Sequence, residues 1–323
     1  MTKKKKEPRW QQEQKQRKKH KSRQIVGYIL AIIFFILITG ISWRTYGDFK
    51  NSVWDGKNRL NLVLNINPIS LVSFDPSSQT ISFLTIPDGT YIEAAGDYGP
   101  YRIEKIFPLG ELENRGIELL AASLETYFGL PVDGRIKAGG EWQGTGGAKR
   151  LLSGLIVLGL KEKSLTNLSR WDLVRLWLMT NRTRGHKVEV VDLGETTVAE
   201  EFGLPDGTKA KRVDNQRISR IISNLFTDYQ IRQEDLAIAI MNAGGETGLA
   251  TKAARLVANI GGRLVEVGDW PERLTECQIK TTSTAKKTYT SQKFARIFGC
   301  QLQTDLEKES RWDVLIILTE GSW

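Results

Sequence analysis

Two pairs of positively charged side chains have a spacing that could bind a phosphate group. Arg182 and Arg184 are two residues apart, directly after a predicted helix, and Arg102 and Lys105 follow a predicted hairpin. A guanidinium group can donate two parallel hydrogen bonds to a phosphate, and a lysine ammonium adds a point charge. The alternative is that all four side chains are solvated charges at the ends of elements, since exposed charge usually has no ligand. Both interpretations stay open on the residues alone.

The sequence has few residues that could support other kinds of catalysis. Apart from His20 in the amino-terminal tail, His186 is the only histidine of the sequence, and there are two cysteines. These residues argue against a transition-metal centre and against a Ser-His-Asp triad. Lys149 follows a glycine-rich stretch, but the glycine spacing is not that of a phosphate-binding P-loop. These motifs therefore predict no cofactor.

Hydrophobic periodicity predicts the elements that would position the cations. Residues 60–66 alternate as a strand with one buried face, and 69–74 and 80–86 form a hairpin. Residues 112–128 have helical spacing and end at Gly129. The remaining segments of this part of the chain are a helix or strand at 148–160, a helix at 170–180, a strand at 188–193 and a helix at 217–229. The pattern is that of an α/β protein.

The last ninety residues or so predict a second, smaller unit that begins near 230–235. Its predicted strands are 236–241, 263–267, 277–282, 300–304 and 312–318, and its predicted helices are 247–260 and 290–298. A β-α-β-β-α-β order is typical of a ferredoxin-like sandwich, with one sheet and the helices on one face.

Positive charge is concentrated in the first 24 residues. They hold eleven Lys or Arg and two acids, which equals the whole net charge of +9. Residues 25–43 contain no charge, and nineteen helical residues span about 28 Å, the thickness of a bilayer core. The positive-inside rule then predicts a cytoplasmic amino terminus and an extracytoplasmic bulk at the plasma membrane. A cleaved signal peptide is the competing interpretation, but this apolar run is longer than usual and lacks a small-residue cleavage site.

The chain is thus predicted to consist of a basic tail at 1–24, a transmembrane helix at 25–43, a stalk at 44–59, and domains at 60–232 and 235–323. A nucleic-acid partner is not expected, because the basic tail has only Trp10 for base stacking. Cys277 and Cys300 both lie in the exported part, where oxidation is possible. A disulfide between them and two buried thiols are both open.

Two regions resemble a known family. Residues 71–76 (LVSFDP), 81–90 (ISFLTIPDGT) and 120–133 (LAASLETYFGLPVD) resemble the LytR-CpsA-Psr domain. Residues 236–267, with an Asn-x-Gly turn at 242–244, are similar to the LytR carboxyl-terminal domain. Members of this family are single-pass, cytoplasm-in proteins that transfer lipid-pyrophosphate-linked glycopolymers onto the cell wall. The resemblance implies an α/β/α first domain, and a membrane and a cell-wall glycopolymer or an envelope protein as partners.

The catalytic pattern implied by the resemblance is altered in this chain. The family's Arg-x-Asp, which holds Mg²⁺ and phosphate, is replaced by Asn-Ile-Asn at 65–67. Its Pro-Arg-Asp is replaced by Pro-Asp-Gly at 87–89, and its Lys-x-Asn corresponds at best to Arg-Ile-Glu at 102–104. Pyrophosphate transfer needs a metal and arginines to neutralise the developing charge. The pattern indicates a domain that kept its sheet and lost its chemistry.

Two functions are compatible with these observations. The first is a non-catalytic, membrane-anchored envelope protein that binds a cell-wall glycopolymer, a lipid carrier or a protein partner. The second is a divergent Mg²⁺-dependent phosphotransferase with a rearranged set of ligands. In that set Arg102, Arg182 and Arg184 would bind phosphate, and Glu104 would bind Mg²⁺.

Overall fold

A computed structural model describes residues 34, 35, 39, 40, 47–139, 147–203, 207–307 and 309–321, without the side chains of 215 and 216. The chain divides into two compact units, Met1–Ser52 and Val53–Trp323. Within the described residues, no helix has both the length and the apolar character needed to cross a bilayer. The predicted anchor, 25–43, lies outside the described residues except at 34, 35, 39 and 40. In the first unit, residues 47–50 are helical.

The strands and helices of the second unit follow in chain order. The strands are β1 (Leu60–Leu64), β2 (Ser70–Asp75), β3 (Thr80–Thr85), β4 (Tyr91–Ala94), β5 (Gly99–Arg102), β6 (Gly134–Ile136), β7 (Val188–Asp192), β8 (Ala199–Gly203), β9 (Lys209–Val213), β10 (Ala237–Asn242), β11 (Arg263–Asp269), β12 (Gln278–Thr281), β13 (Gln301–Thr304) and β14 (Val314–Leu318). The helices are α1 (Ile103–Glu111), α2 (Gly116–Phe128), α3 (Ala148–Lys161), α4 (Arg170–Arg182), α5 (Asn215–Phe226), α6 (Tyr229–Glu234), α7 (Leu249–Asn259) and α8 (Tyr289–Phe298).

The first sheet has the strand order β6-β1-β2-β3-β7. The central strands β1, β2 and β3 pair antiparallel, and β6 and β7 add parallel to β1 and β3. Helices α1 and α2 cover one face, where Val63, Leu71 and Leu84 lie. Helices α3 and α4 cover the other face, where Leu62 and Phe83 lie. The prediction of one buried face for β1 is wrong, because this α/β/α arrangement buries all five of its residues.

The second sheet has the order β11-β10-β14-β12-β13, so the ferredoxin-like prediction is wrong. Two parallel crossover units, β10-α7-β11 and β12-α8-β13, lie on either side of β14. Strand β14 is parallel to β10 and antiparallel to β12. Its five residues, VLIIL, are all buried, and an unbroken apolar run is typical of a central strand covered on both faces. Both helices pack on one face, as the sequence predicts.

Residues 53–59, which the sequence assigned to the stalk, belong to the compact unit. Trp54 is buried, and its indole N–H donates to the Asn58 carbonyl oxygen at 2.6 Å. Arg59 is likewise enclosed and forms an ion pair with Asp75 at 2.8 Å. Residues 53–59 thus form the turn that precedes β1 rather than part of a stalk.

Cys277 and Cys300 are joined by a disulfide, with their Cα atoms 4.9 Å apart. Cys277 directly precedes β12 and Cys300 directly precedes β13, so the bond ties the starts of two neighbouring parallel strands.

Reduction of this disulfide is expected to lower the free energy of unfolding by roughly 3 kcal/mol. A bond between residues 23 positions apart removes about that much chain entropy from the unfolded state. Urea unfolding with and without reductant measures the difference, and the Cys277→Ser/Cys300→Ser variant is the control, because reductant should leave it unchanged. Equal midpoints for oxidised and reduced wild-type protein would contradict the expectation.

Candidate functional site

Four strands of the first sheet end at one edge. β1 and β3 are both antiparallel to β2, and β6 and β7 are parallel to them, so these four strands run in one direction. The segments after their carboxyl ends are 65–67, 87–90, 137–139 and 193–195. We call this side the carboxyl edge. Open α/β sheets bind ligands at such an edge, so chemistry is expected here.

Two carboxylates meet at the turn after β3. Glu104, in the first turn of α1, accepts a hydrogen bond from the Gly89 backbone N–H at 2.9 Å. Partial desolvation raises the pKa of Asp88, the negative charge of Glu104 raises it further, and Lys211 opposes both. The turn therefore presents two like charges at the position where the family resemblance implies an arginine.

Arg102 and Lys105 also lie at the carboxyl edge. The Ile103 backbone N–H donates to the Thr90 carbonyl oxygen at 2.8 Å, which fixes the start of α1 beside the turn after β3. The Arg102 guanidinium donates through Nη2 to Thr208 Oγ1 at 2.8 Å and to the Lys209 carbonyl oxygen at 3.2 Å. Lys105 is exposed. Arg102 thus fastens β5 to the β8-β9 hairpin.

The metal site implied by the resemblance does not fit the residues present. Asn65 and Asn67 follow β1 and bring two neutral amides where the resemblance implies an arginine and a carboxylate. Within the described ranges, no three or more His, Cys, Asp or Glu side chains are grouped so that they could hold a metal ion. Mg²⁺ is held by oxygen ligands, with one or two carboxylates and substrate phosphates as the usual minimum. Asp88 and Glu104 could provide the two carboxylates, but a bound phosphate would have to provide the remaining oxygen ligands.

Arg182 and Arg184 lie at the opposite side of the sheet, which we call the amino edge. Arg182 is in the last turn of α4, and the strand that follows, β7, begins opposite Ile81 at the start of β3. The Lys187 ammonium donates to the Ser78 carbonyl oxygen in the β2-β3 turn at 2.7 Å. The six residues of β3 separate the two edges by about 17 Å. The structure therefore brings Arg102, Glu104 and Lys105 together, but not Arg182 and Arg184 with them.

A cavity of about 420 Å³ lies at the amino edge. It is lined by Trp54, Asp55, Gly56, Lys57, Pro76, Gln79, Arg175, Leu178, Met179, Arg182 and Thr183. Its lining carries three cations and one acid, and its apolar side chains come from α4 (Leu178 and Met179) and from Trp54 and Pro76. Such a lining suits a phosphate or carboxylate group attached to an apolar body.

The sequence missed most of this cavity. The sequence places residues 54–57 in the predicted stalk. The spacing of Arg175, seven residues before Arg182, puts both side chains on the same side of α4, and this spacing is the signal that could have identified Arg175. The Arg175 guanidinium donates to the Trp54 carbonyl oxygen and lies 5.3 Å from the Trp171 ring centroid. Burial opposes ionisation of Asp55, but hydrogen bonds from the backbone of Asn58 and Lys57 outweigh it and lower its pKa.

No family model and no curated protein matches the sequence. Solved structures with a similar chain course include the LytR-CPS2A-psr family protein YwtF (TagT) with bound octaprenyl pyrophosphate lipid, at 17% identity and a TM-score of 0.40, over 53% of this chain and 90% of that one. B. subtilis TagT matches at 14% identity and 0.38, over 53% and 91% of the two chains. The Lin1025 protein from Listeria innocua matches at 13% identity and 0.38, over 52% and 97%. Membership of the family is therefore a proposal, and its support lies in this chain's own residues.

Proposed function

We propose that the chain is a membrane-anchored protein of the cell envelope, of LytR-CpsA-Psr type, that does not catalyse phosphoryl transfer. It binds a cell-wall glycopolymer, a lipid carrier or an envelope protein through its extracytoplasmic unit. The resemblance at 71–76, 81–90, 120–133 and 236–267 supports the family. The basic tail before the apolar run 25–43 supports the plasma membrane and the orientation.

The acidic pair at the carboxyl edge is the observation that carries this proposal. Phosphoryl transfer needs cations around the oxygens of the transferred group, and Asp88 and Glu104 present negative charge instead. Arg182 and Arg184 are about 17 Å away along β3, beyond the Debye length of about 8 Å at physiological salt. They cannot neutralise a pyrophosphate at this edge.

The same two carboxylates favour a second candidate, a divergent phosphotransferase. Mg²⁺ is often bound by one or two carboxylates together with substrate phosphates, and Arg102 and Lys105 lie nearby. This enzyme would use Asp88 and Glu104 for Mg²⁺ and would not use Arg182 or Arg184.

Thermal unfolding of the full chain with Mg²⁺ and inorganic pyrophosphate separates the two candidates. We expect no change in the wild-type Tm, because the acidic pair repels the ligand. The Asp88→Arg/Glu104→Gln variant should gain a Tm shift of roughly 5–10 °C near one hundred times its Kd, since ligand linkage stabilises the folded state. Glutamine at 104 keeps an acceptor for the Gly89 N–H.

The matched control is Asp269→Arg/Glu272→Gln, which adds the same charge at two exposed positions at and just after the end of β11. It should show no shift. A wild-type shift that requires both Mg²⁺ and pyrophosphate, and that either Asp88→Asn or Glu104→Gln removes, would contradict this expectation and show the Mg²⁺-pyrophosphate site that the phosphotransferase needs.

A further inference from the structure

Helix α4 exposes an apolar face to solvent. Trp171 is 45% exposed and Trp177 is 39% exposed, and Val174 and Leu178 are also exposed. At 100° per residue these four side chains fall within an arc of about 120°. Soluble proteins rarely leave two tryptophans and two aliphatic side chains together on one exposed helix face without a use for them.

The charged side chains of the helices around this face are almost all positive. Helices α3 and α4 contact each other and together cover one face of the first sheet. Their six cations are Lys149, Arg150, Lys161, Arg170, Arg175 and Arg182. Their one acid, Asp172, is fully buried and accepts hydrogen bonds from backbone N–H groups. The next acid along the chain is Glu162, just after α3. The exposed surface of both helices is therefore cationic and aromatic.

The chain enters the compact unit beside this face. The Val53 and Trp54 backbone N–H groups donate to the Asp172 carboxylate at 3.1 and 3.2 Å. Nine residues separate the predicted anchor, 25–43, from Val53, and nine residues span at most about 30 Å when extended. A bilayer at the anchor is thus within reach of α4.

We propose that the exposed face of α3 and α4 rests on the surface of a bilayer that contains anionic phospholipid. Tryptophans place an apolar ring and a polar N–H at the headgroup level, and arginines bind lipid phosphates while their stems cover apolar surface. This combination, without exposed acids on the helices, fits an interfacial helix better than a protein contact. The inference rests on the proposed membrane anchoring and adds a second, peripheral contact with the membrane surface.

A fluorescent probe on α4 tests the contact in the full chain, reconstituted into lipid nanodiscs. The introduced cysteine in Leu178→Cys is labelled with an environment-sensitive dye, which is selective because Cys277 and Cys300 are bonded to each other. The matched control is Leu112→Cys, since Leu112 is 82% exposed and follows α1, on the other face of the sheet. Nanodiscs are prepared from phosphatidylcholine alone or with phosphatidylglycerol, each with and without brominated acyl chains.

In discs with phosphatidylglycerol we expect the dye at 178 to brighten several-fold, shift to the blue and be quenched by brominated lipid, while the dye at 112 changes in none of these ways. Arg170→Glu/Arg182→Glu should abolish the response. Arg220→Glu/Arg232→Glu should not, although it changes charge equally at two exposed positions elsewhere.

An aqueous signal at 178 in anionic discs, or equal quenching at 178 and 112, would overturn the inference. So would a response that appears only after a wall polymer or a protein is added, because the face would then belong to that partner. Failure of the chain to enter nanodiscs at all would overturn the proposed anchoring, and with it this inference. Entry without a response at 178 would leave the anchoring standing.

Discussion

Arg59→Met is expected to lower the free energy of unfolding by about 3–5 kcal/mol, or the Tm by about 10 °C. The Arg59 guanidinium pairs with the Asp75 carboxylate at 2.8 Å, and both side chains are 9% exposed. It also donates to Ser73 Oγ at 2.9 Å and to the Leu225 carbonyl oxygen at 2.7 Å. Methionine replaces the stem of the side chain but leaves Asp75 as a buried charge without its partner.

Urea unfolding of Arg59→Met, Asp75→Asn and the double variant measures this effect. The double variant should be more stable than the sum of the single losses implies, since removing both charges removes the unpaired one. Arg220→Met is the control, because Arg220 is exposed, and its loss should stay within about 0.5 kcal/mol. A loss for Arg59→Met no larger than this control would contradict the prediction.

The pH dependence of stability gives an independent check on Asp75. Burial opposes ionisation of this carboxyl, but hydrogen bonds from Ser77 and the charge of Arg59 outweigh it and hold its pKa below the usual range. A carboxyl with a lowered folded-state pKa contributes stability above its unfolded pKa of about 3.9 and loses it as the pH falls through the folded pKa. The difference in stability between wild type and Asp75→Asn should therefore shrink below about pH 4.

Asp172→Ala is expected to cost about 3–4 kcal/mol of the free energy of unfolding. The Asp172 carboxylate accepts hydrogen bonds from Ser169 N–H at 3.0 Å and Ser169 Oγ at 2.8 Å, which completes the capping box of α4. It also accepts from Val53 and Trp54, so alanine leaves backbone donors unsatisfied where the chain enters the unit. The cost therefore combines a lost cap with two lost backbone partners.

Equilibrium unfolding and amide hydrogen exchange measure the two parts of this effect. Exchange should accelerate at Val53 and Trp54 more than in β10, which is distant and buried. Asp269→Ala is the matched control at an exposed aspartate and should change neither readout. An Asp172→Ala protein with wild-type stability would show that the carboxylate is not needed at this junction.

Local patterns predicted many elements of the fold because their signals are local. The β2-β3 hairpin follows from alternation and the Asp-Pro-Ser-Ser turn, and α2 ends at Gly129, which has a φ of +58°. The segment 148–160 is helical, which resolves the open choice between helix and strand. Helix α1 was missed because Pro108 lies inside it, and the predicted helix 112–128 begins at Gly116.

The positions of Arg182 and Arg184 show what periodicity cannot supply. Neither the phosphate-binding interpretation nor the solvated-charge interpretation says which edge of the sheet this pair occupies. The direction of the strand that follows, at 188–193, determines the edge. A helix that precedes a parallel strand ends where that strand begins, so α4 must end at the amino edge. The site at the carboxyl edge depended on β4, β5, β8 and β9, which are short and carry weak alternation. The pairing of such strands depends on residues far apart in the chain, so the pattern of a single segment does not predict it.

The contact between α7 and the end of α2 has a consequence for modularity. The Asn259 side-chain amide donates to the Phe128 and Gly129 carbonyl oxygens, both at 2.9 Å, and one apolar cluster contains side chains from both sheets. The second sheet is therefore not an independent domain joined to the first by a flexible linker. Deletion of 235–323, or its exchange for another domain, would expose the apolar side of α2 to solvent. The residues that are left would then be poorly soluble, so the two sheets can be transferred between proteins only together.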